Sequence, residues 1–399
     1  TLTGKYGEEG DKLLFKVLNN GDFLAKADEK ALAEKDSNAV IASISKRGLR
    51  YDLTVPFARF VVMHQNEFSF PFKRYAIAPV WRADRPQKGR YQEFYQCDVD
   101  VVGSDSLMYE AELMRIYDEV FANLGLEVEI KFNNRKVLAG MAEVAGCSDK
   151  FMEMTIAIDK LDKVGADGVK KEMTEKGISV DAVVTILNIL EIKDLPTLRE
   201  AMTGSETGTK GIEELEEVFA YLEGINLSNT TSFDITLARG LNYYTGGIFE
   251  VKAKGVEMGS IGGGGRYDDL TGVFGLQGVS GVGVSFGAER IYDVMEELNL
   301  FPEDNPENLQ LLLLAMDKEA HKYAFTMLDQ IRKADINADL YPDPVKLKKQ
   351  MKYANDRNVP YVIIIGTSEM ESGTFSLKNM KSGEQENVNL AAVIDKLKA

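Results

Sequence analysis

Histidine, cysteine and tryptophan are scarce here: two, two and one among 399 residues. The histidines, His64 and His321, stand far apart in sequence, so neither a histidine-based metal site nor a histidine-dependent triad is expected. Cys97 and Cys147 lack metal-ligand spacing, and so few cysteines fit a reducing compartment, which sets a cytoplasmic expectation. No apolar run approaches the ~20 residues of a membrane span, and no charged-then-apolar leader stands at Thr1. Positive charge is short as well, 47 Lys and Arg against 63 Asp and Glu, net −16. That excludes a broad cationic surface for nonspecific nucleic-acid binding. Docking through local basic patches remains open, because fields are screened within about 8–10 Å. Any chemistry must therefore run on Arg, Tyr, Gln, Asp and Glu.

What is present is concentrated in three clusters. Asp234–Glu250 reads D-I-T-L-A-R-G-L-N-Y-Y-T-G-G-I-F-E and runs into a strand, Ile248–Ala253. Tyr243 and Tyr244 point to opposite sides of an extended chain, so one packs while the other offers its hydroxyl. Arg239 supplies a planar cation suited to phosphate or carboxylate. In Ser260–Asp269, S-I-G-G-G-G-R-Y-D-D, four consecutive glycines either let a backbone approach a ligand closely or form a plain glycine-rich turn. The third cluster is a long hairpin, Lys73–Trp81 and Tyr91–Val102, with Arg82, Arg85, Lys88 and Arg90 at its tip. On its return strand Phe94, Gln96, Asp98 and Asp100 share one face, a poor core pattern but a suitable floor for a polar, cationic ligand. Asp52 and Thr54 precede Pro56 at a helix start, and Arg290 falls in the first turn of a helix entered from the strand Gly278–Phe286. Neither G-x-G-x-x-G nor a P-loop occurs.

The length of 399 residues exceeds the ~250–300 of a single core, and 44% hydrophobic with 28% charged residues is a globular composition. The parse is an α/β multidomain chain: 1–147 and 230–304 form two strand-rich halves of one domain, 148–229 is a helical insertion, and 305–399 is a βαβ-type domain with a mixed sheet. Thr1 opens abruptly, which suggests a preceding segment. Leu13–Leu18 reads as a strand, Asp28–Asn38 as a loop, Leu107–Leu124 as a helix, Leu126–Phe132 as a strand and Asn133–Arg135 as a turn. Within the insertion, helices are expected at Met152–Val164, Val169–Lys176, Asp181–Leu190, Leu195–Met202 and Ile212–Leu222. Asn299–Glu307 reads as a linker, and Lys346, Lys348, Lys349, Lys352 and Arg357 give the last domain a basic surface.

These stretches together carry a resemblance. Phe72–Gly103, with its F-x-x-Q return strand, resembles motif 2 of the class II aminoacyl-tRNA synthetases, and Gly281–Arg290 resembles motif 3. Asp234–Glu250 and Ser260–Asp268 resemble the signature stretches of the histidyl-tRNA synthetase family, whose usual aspartate is Asn242 here. The resemblance implies an antiparallel catalytic core and a C-terminal anticodon-binding domain. It implies a homodimer, although motif 1 is not visible in the sequence. The implied activity joins L-histidine and ATP to histidyl-adenylate with Mg²⁺ on the outer phosphates, then moves histidine to tRNA-His. Arg82 and Arg239 would act on the α-phosphate, with Arg90 and Arg290 on the outer phosphates and Phe94 against adenine. Asp52, Leu53, Thr54 and Gln96 would surround the amino and carboxylate groups of histidine. Asp100 and Tyr244 would face its imidazole, walled by Tyr243 and Tyr267. The rivals are a regulatory histidine sensor and a tRNA-binding module without catalysis.

Overall fold

The computed structural model describes residues 12–238, 243–301 and 309–398, and the chain divides into two compact units, Thr1–Phe301 and Pro302–Ala399. In the first unit only β1 (Lys16–Val17) of the expected Leu13–Leu18 strand forms, paired with β2 (Arg47–Gly48). The loop expected over Asp28–Asn38 is instead occupied by α1 (Glu29–Glu34) and the start of α2 (Ser37–Ile44). Asp28 and Asp36 explain the error. Each accepts backbone N–H groups of the helix it precedes, so residues that make the segment look polar are caps. The next helix, α3 (Thr54–His64), starts where expected, with Asp52 Oδ1 accepting from Val55 N at 3.2 Å.

A seven-stranded sheet forms the centre of the unit, in the order β3 (Phe72–Trp81), β4 (Glu93–Val102), β9 (Gly281–Gly287), β8 (Gly262–Arg266), β7 (Gly247–Ala253), β5 (Val128–Asn134) and β6 (Thr230–Phe233). Neighbours are antiparallel except β5 with β6. The run of glycines is thus a central strand, which corrects the expected turn. Space decides it: a Cβ at Gly264 would lie 2.2 Å from Gly283 O, and one at Gly265 would lie 2.8 Å from the Tyr244 ring. The glycines bring strands and site rings together.

Helix α4 (Met108–Asn123) packs on this sheet, and so does α5 (Arg135–Val144), which begins at the end of the expected turn Asn133–Arg135 and has no counterpart in the sequence reading. Asn134 is its cap, accepting from Lys136 N at 2.9 Å. Residues 148–229 are helical as expected: α6 (Phe151–Ile158), α7 (Leu161–Glu175), α8 (Val180–Leu190), α9 (Leu195–Ala201) and α10 (Glu206–Leu222). The helix expected over Met152–Val164 is broken between α6 and α7, and Gly165, at φ 68°, kinks α7. One hydrophobic cluster joins these helices to the sheet, running from Met154, Val169, Ile186 and Leu215 to Tyr117, Phe132 and Val251. β9 leads into α11 (Ala288–Glu297), which closes the described part of the unit.

The second unit is a mixed sheet, β11 (Ala338–Leu340), β10 (Leu311–Ala315), β12 (Tyr361–Ile365), β13 (Phe375–Asn379) and β14 (Gln385–Val388). The first three strands are parallel and the last two antiparallel to their neighbours. α12 (Lys318–Lys333), α13 (Leu347–Asp356), α14 (Thr367–Ser372) and α15 (Leu390–Lys398) surround it. β10 is wholly buried and feeds alternate side chains into two separate cores, as a strand covered on both faces must. Among the described residues no helix is long and apolar enough to cross a membrane.

Candidate active site

The period of a strand places Gln96, Asp98 and Asp100 on one face of β4, and all three are buried. Arg82, just past β3, reaches over this floor. Its Nε donates to Tyr51 O at 3.1 Å and its Nη2 to Gln96 Oε1 at 3.3 Å. The guanidinium carbon is 4.4 Å from the centre of the Tyr51 ring and 5.1 Å from that of Phe94. The structure therefore brings Arg82, Phe94 and Gln96 together.

A wall of tyrosines stands beside them. Tyr243 donates to Asp52 Oδ2 at 2.8 Å and also hydrogen-bonds Thr54, which opens α3. The Tyr243 ring meets Tyr244 at 5.0 Å and Tyr267 at 6.3 Å, both edge-on. Tyr267 donates to Asp100 Oδ1 at 2.7 Å, while Arg74 Nη2 lies 2.8 Å from Asp100 Oδ2 and donates to Leu53 O at 3.2 Å. Leu53 thus adds a carbonyl, its side chain being buried. Asp100 Oδ2 and Arg74 Nε are the buried polar atoms left without hydrogen-bond geometry among the described residues. Two glycines make the room: a Cβ at Gly283 would lie 2.1 Å from Asp100 Oδ1, and one at Gly281 2.3 Å from Tyr267.

Electrostatics follow from this crowding. Burial, reinforced by the charge of Asp100, pushes the Asp98 carboxyl up to about 7. Burial also pushes Asp100 up to about 6, against the pull of Arg74. Burial first, then nearby carboxylates, raises the phenols of Tyr243, Tyr244 and Tyr267, so each remains a donor near neutrality.

At the far end of the floor Arg290 donates through Nη1 to Ser260 O at 2.7 Å and through Nε to Gly89 O. The β3–β4 loop is held against α11 by two further contacts, Tyr91 Oη to Asp293 at 2.8 Å and Lys88 Nζ to Glu297 at 2.8 Å. Arg90 is exposed, its Nη1 3.3 Å from Asp84. Arg239 and Asn242 lie outside the described residues.

Reading the sequence alone omitted Arg74, Ser285 and a working role for Asp98. Register would have found two of them: Arg74 stands opposite Asp100 on β3, and Ser285 opposite Asp98 on β9. Arg266 is a buttress. It forms a two-pronged, fully buried ion pair with Glu110, Nη2 to Oε2 at 2.6 Å, and donates to Ser280 Oγ at 2.6 Å.

Residues 30–291 match the family described as histidyl-tRNA synthetase, and residues 310–399 match an anticodon binding domain. The histidine–tRNA ligase of Christiangramia forsetii is 56% identical, over all of this chain and 89% of the relative. That of Bacteroides fragilis is 54% identical, over all of this chain and 88% of the relative. Among solved structures, the histidyl-tRNA synthetase of Nostoc sp. PCC 7120 superposes with a TM-score of 0.75 at 32% identity, covering 88% of this chain and 83% of that one. A Bacillus halodurans C chain described as an ATP phosphoribosyltransferase regulatory subunit/histidyl-tRNA synthetase shares the fold, with a TM-score of 0.68 at 19% identity over 89% of this chain and 83% of that one.

Proposed function

Because the chain belongs to the histidyl-tRNA synthetase family, with the activity of a histidine–tRNA ligase acting on histidine, ATP and tRNA, we propose that Arg82 and Arg239 are the cations that bind the reacting phosphate. A carboxylate oxygen of histidine attacks the α-phosphorus, and the bond to the β-phosphate breaks. Pyrophosphate leaves with that electron pair. The nucleophile is already ionised and needs no base, so catalysis rests on alignment and on cations aimed at the charged oxygens. In the second step a ribose hydroxyl at the 3′ end of tRNA-His attacks the histidyl carbonyl carbon, and AMP departs.

Phe94 stacks on adenine, while Arg90 and Arg290 take the outer phosphates. Mg²⁺ would arrive with ATP as part of the nucleotide substrate and would neutralise charge on its phosphates. Asp52, Thr54 and Gln96 receive the amino and carboxylate groups of histidine, and Leu53 O helps fix the floor through Arg74. Tyr244 and Asp100 address the two imidazole nitrogens, with Tyr243 and Tyr267 completing the wall. Hydrogen-bonding both nitrogens rejects analogues by about 10⁴–10⁵ without proofreading. Residues 148–229 then serve as a clamp on the acceptor arm, the β3–β4 loop meets the acceptor end, and residues 305–399 meet the anticodon.

A homodimer in the cytoplasm is part of the same reading. The edge strand β3 exposes Tyr75 and Ile77, 79% and 64% accessible, and an uncovered apolar edge invites a partner. The cysteines are free thiols, as suits a reducing compartment. The convergence of Arg82 on Gln96 and Phe94 carries the mechanism. Histidine-dependent exchange of pyrophosphate into ATP tests it. Exchange should require histidine, and a purified protein inert in this assay would be a sensor or binding module instead.

A further inference from the structure

β4 holds a carboxylate to which the roles above give no task. Asp98 lies between Gln96 and Asp100 on the same strand face, 3% exposed. Its neighbours across the sheet are Ala76 on β3 and Ser285 on β9. Arg74, whose charge Asp98 feels, pairs with Asp100 instead. What Asp98 does have is a pair of neutral partners. Gln96 Nε2 donates to Ser285 Oγ at 2.6 Å and stands 3.4 Å from Asp98 Oδ1, and Ser285 hydrogen-bonds the Asp98 carboxylate. At the other end of the same amide, Gln96 Oε1 accepts from Arg82 Nη2. A guanidinium can only donate and a carboxylate can only accept, so the two ends permit one orientation of the amide. The carbonyl faces the phosphate side and the NH₂ faces the carboxylates.

We propose that Asp98 is a positioning residue of the amino-acid site, acting through Ser285 and Gln96 to hold the Gln96 amide in the one orientation that receives the substrate. The inference rests on the histidine-activation reading above. A charged acceptor fixes the amide more firmly than a neutral one, because charge-assisted hydrogen bonds are about twice as strong. The hold therefore depends on the charge of Asp98. The charged and titratable groups around it are Asp100 and Cys97 on its own strand, Asp52 before α3, Arg74 on β3, Tyr244 from the wall and Tyr117 from α4 behind the sheet. Burial and Asp100 place its titration at about 7, so the lock weakens as pH falls through neutrality.

The test is pyrophosphate exchange by the full chain, comparing wild type, Asp98→Asn and Ser285→Ala between about pH 6 and pH 8.5. At pH 8 both variants should raise the KM for histidine roughly tenfold, the difference between a charge-assisted and a neutral hydrogen bond, with the KM for ATP within about twofold of wild type. The titration of free histidine is common to all three proteins and cancels in the ratio. Asp98→Asn should flatten the part of the wild-type profile that remains. A histidine KM and pH profile unchanged in Asp98→Asn would overturn the inference. So would losses for histidine and ATP together with a lowered melting temperature, since that marks a structural role. Wild-type protein devoid of exchange would instead remove the activation reading itself, and the inference with it.

Discussion

Replacing Arg82 by alanine removes a guanidinium that touches Tyr51, Phe94 and Gln96 at once, with the residues around it otherwise intact. Exchange should fall by at least ~10²–10³-fold, the usual cost of one transition-state donor, and a rate within threefold of wild type would end the assignment. The buried carboxylates make a second prediction. Asp98 and Asp100 titrate at about 7 and about 6 in the fold, against an ordinary 3.8. Between those limits the folded protein holds protons that the unfolded chain has released. Stability therefore falls as pH rises from about 4 to about 7, then levels. Asp98→Asn lifts part of that loss, so its gain in melting temperature should be larger at pH 8 than at pH 5; equal gains would contradict the sign. At this scale the sequence was a good guide wherever chemistry follows the period of a single strand. Period 2 puts Phe94, Gln96, Asp98 and Asp100 on one face of β4, while Arg82 stood out only as one of the cations clustered at the hairpin tip. Arg74 and Ser285 were missed because their meaning depends on which residue stands across the sheet, and register is a property of pairs.

Among the elements, helices α4 and α8 and the β3–β4 hairpin lie within a few residues of their expected limits, because their apolar periods are strong. α1, α2 and α5 escaped because their caps, Asp28, Asp36 and Asn134, look like turn residues when no partner is visible. β8 escaped for a different reason. Glycine in a strand has no side chain to announce its neighbours, and the crowding that requires it comes from Tyr244, Tyr117 and Gly283 in distant stretches. The anchor of β8 is Arg266, whose partner Glu110 is 0% exposed. Arg266→Leu strands that carboxylate and should cost about 3–5 kcal/mol in denaturant unfolding. A loss below about 1 kcal/mol would mean that solvent reaches the pair.

For the whole molecule, the two compact units each enclose their own core, which gives a clean dissection. Removing residues 302–399 should leave adenylate formation near wild type and abolish charging of tRNA. Loss of both would assign the second unit a structural duty. Tyr75→Glu with Ile77→Glu on the exposed edge of β3 should yield a monomer by light scattering, and a dimer of unchanged affinity would move the interface elsewhere. The helices of residues 148–229 and the mixture of strands and helices in the last unit follow the hydrophobic periods of the sequence. What those periods could not reveal is how the helices are rooted.

The cluster that runs from Met154 and Leu215 into Phe132 and Val251 has a consequence for recombination between relatives. A segment 148–229 grafted from another species would arrive with half of an interlocking surface. Such a chimera would accept the foreign helices only if the inward side chains of β5 and β7 travelled with them. Substitutions on the outward faces of this segment should therefore be accepted without disturbing the sheet beneath.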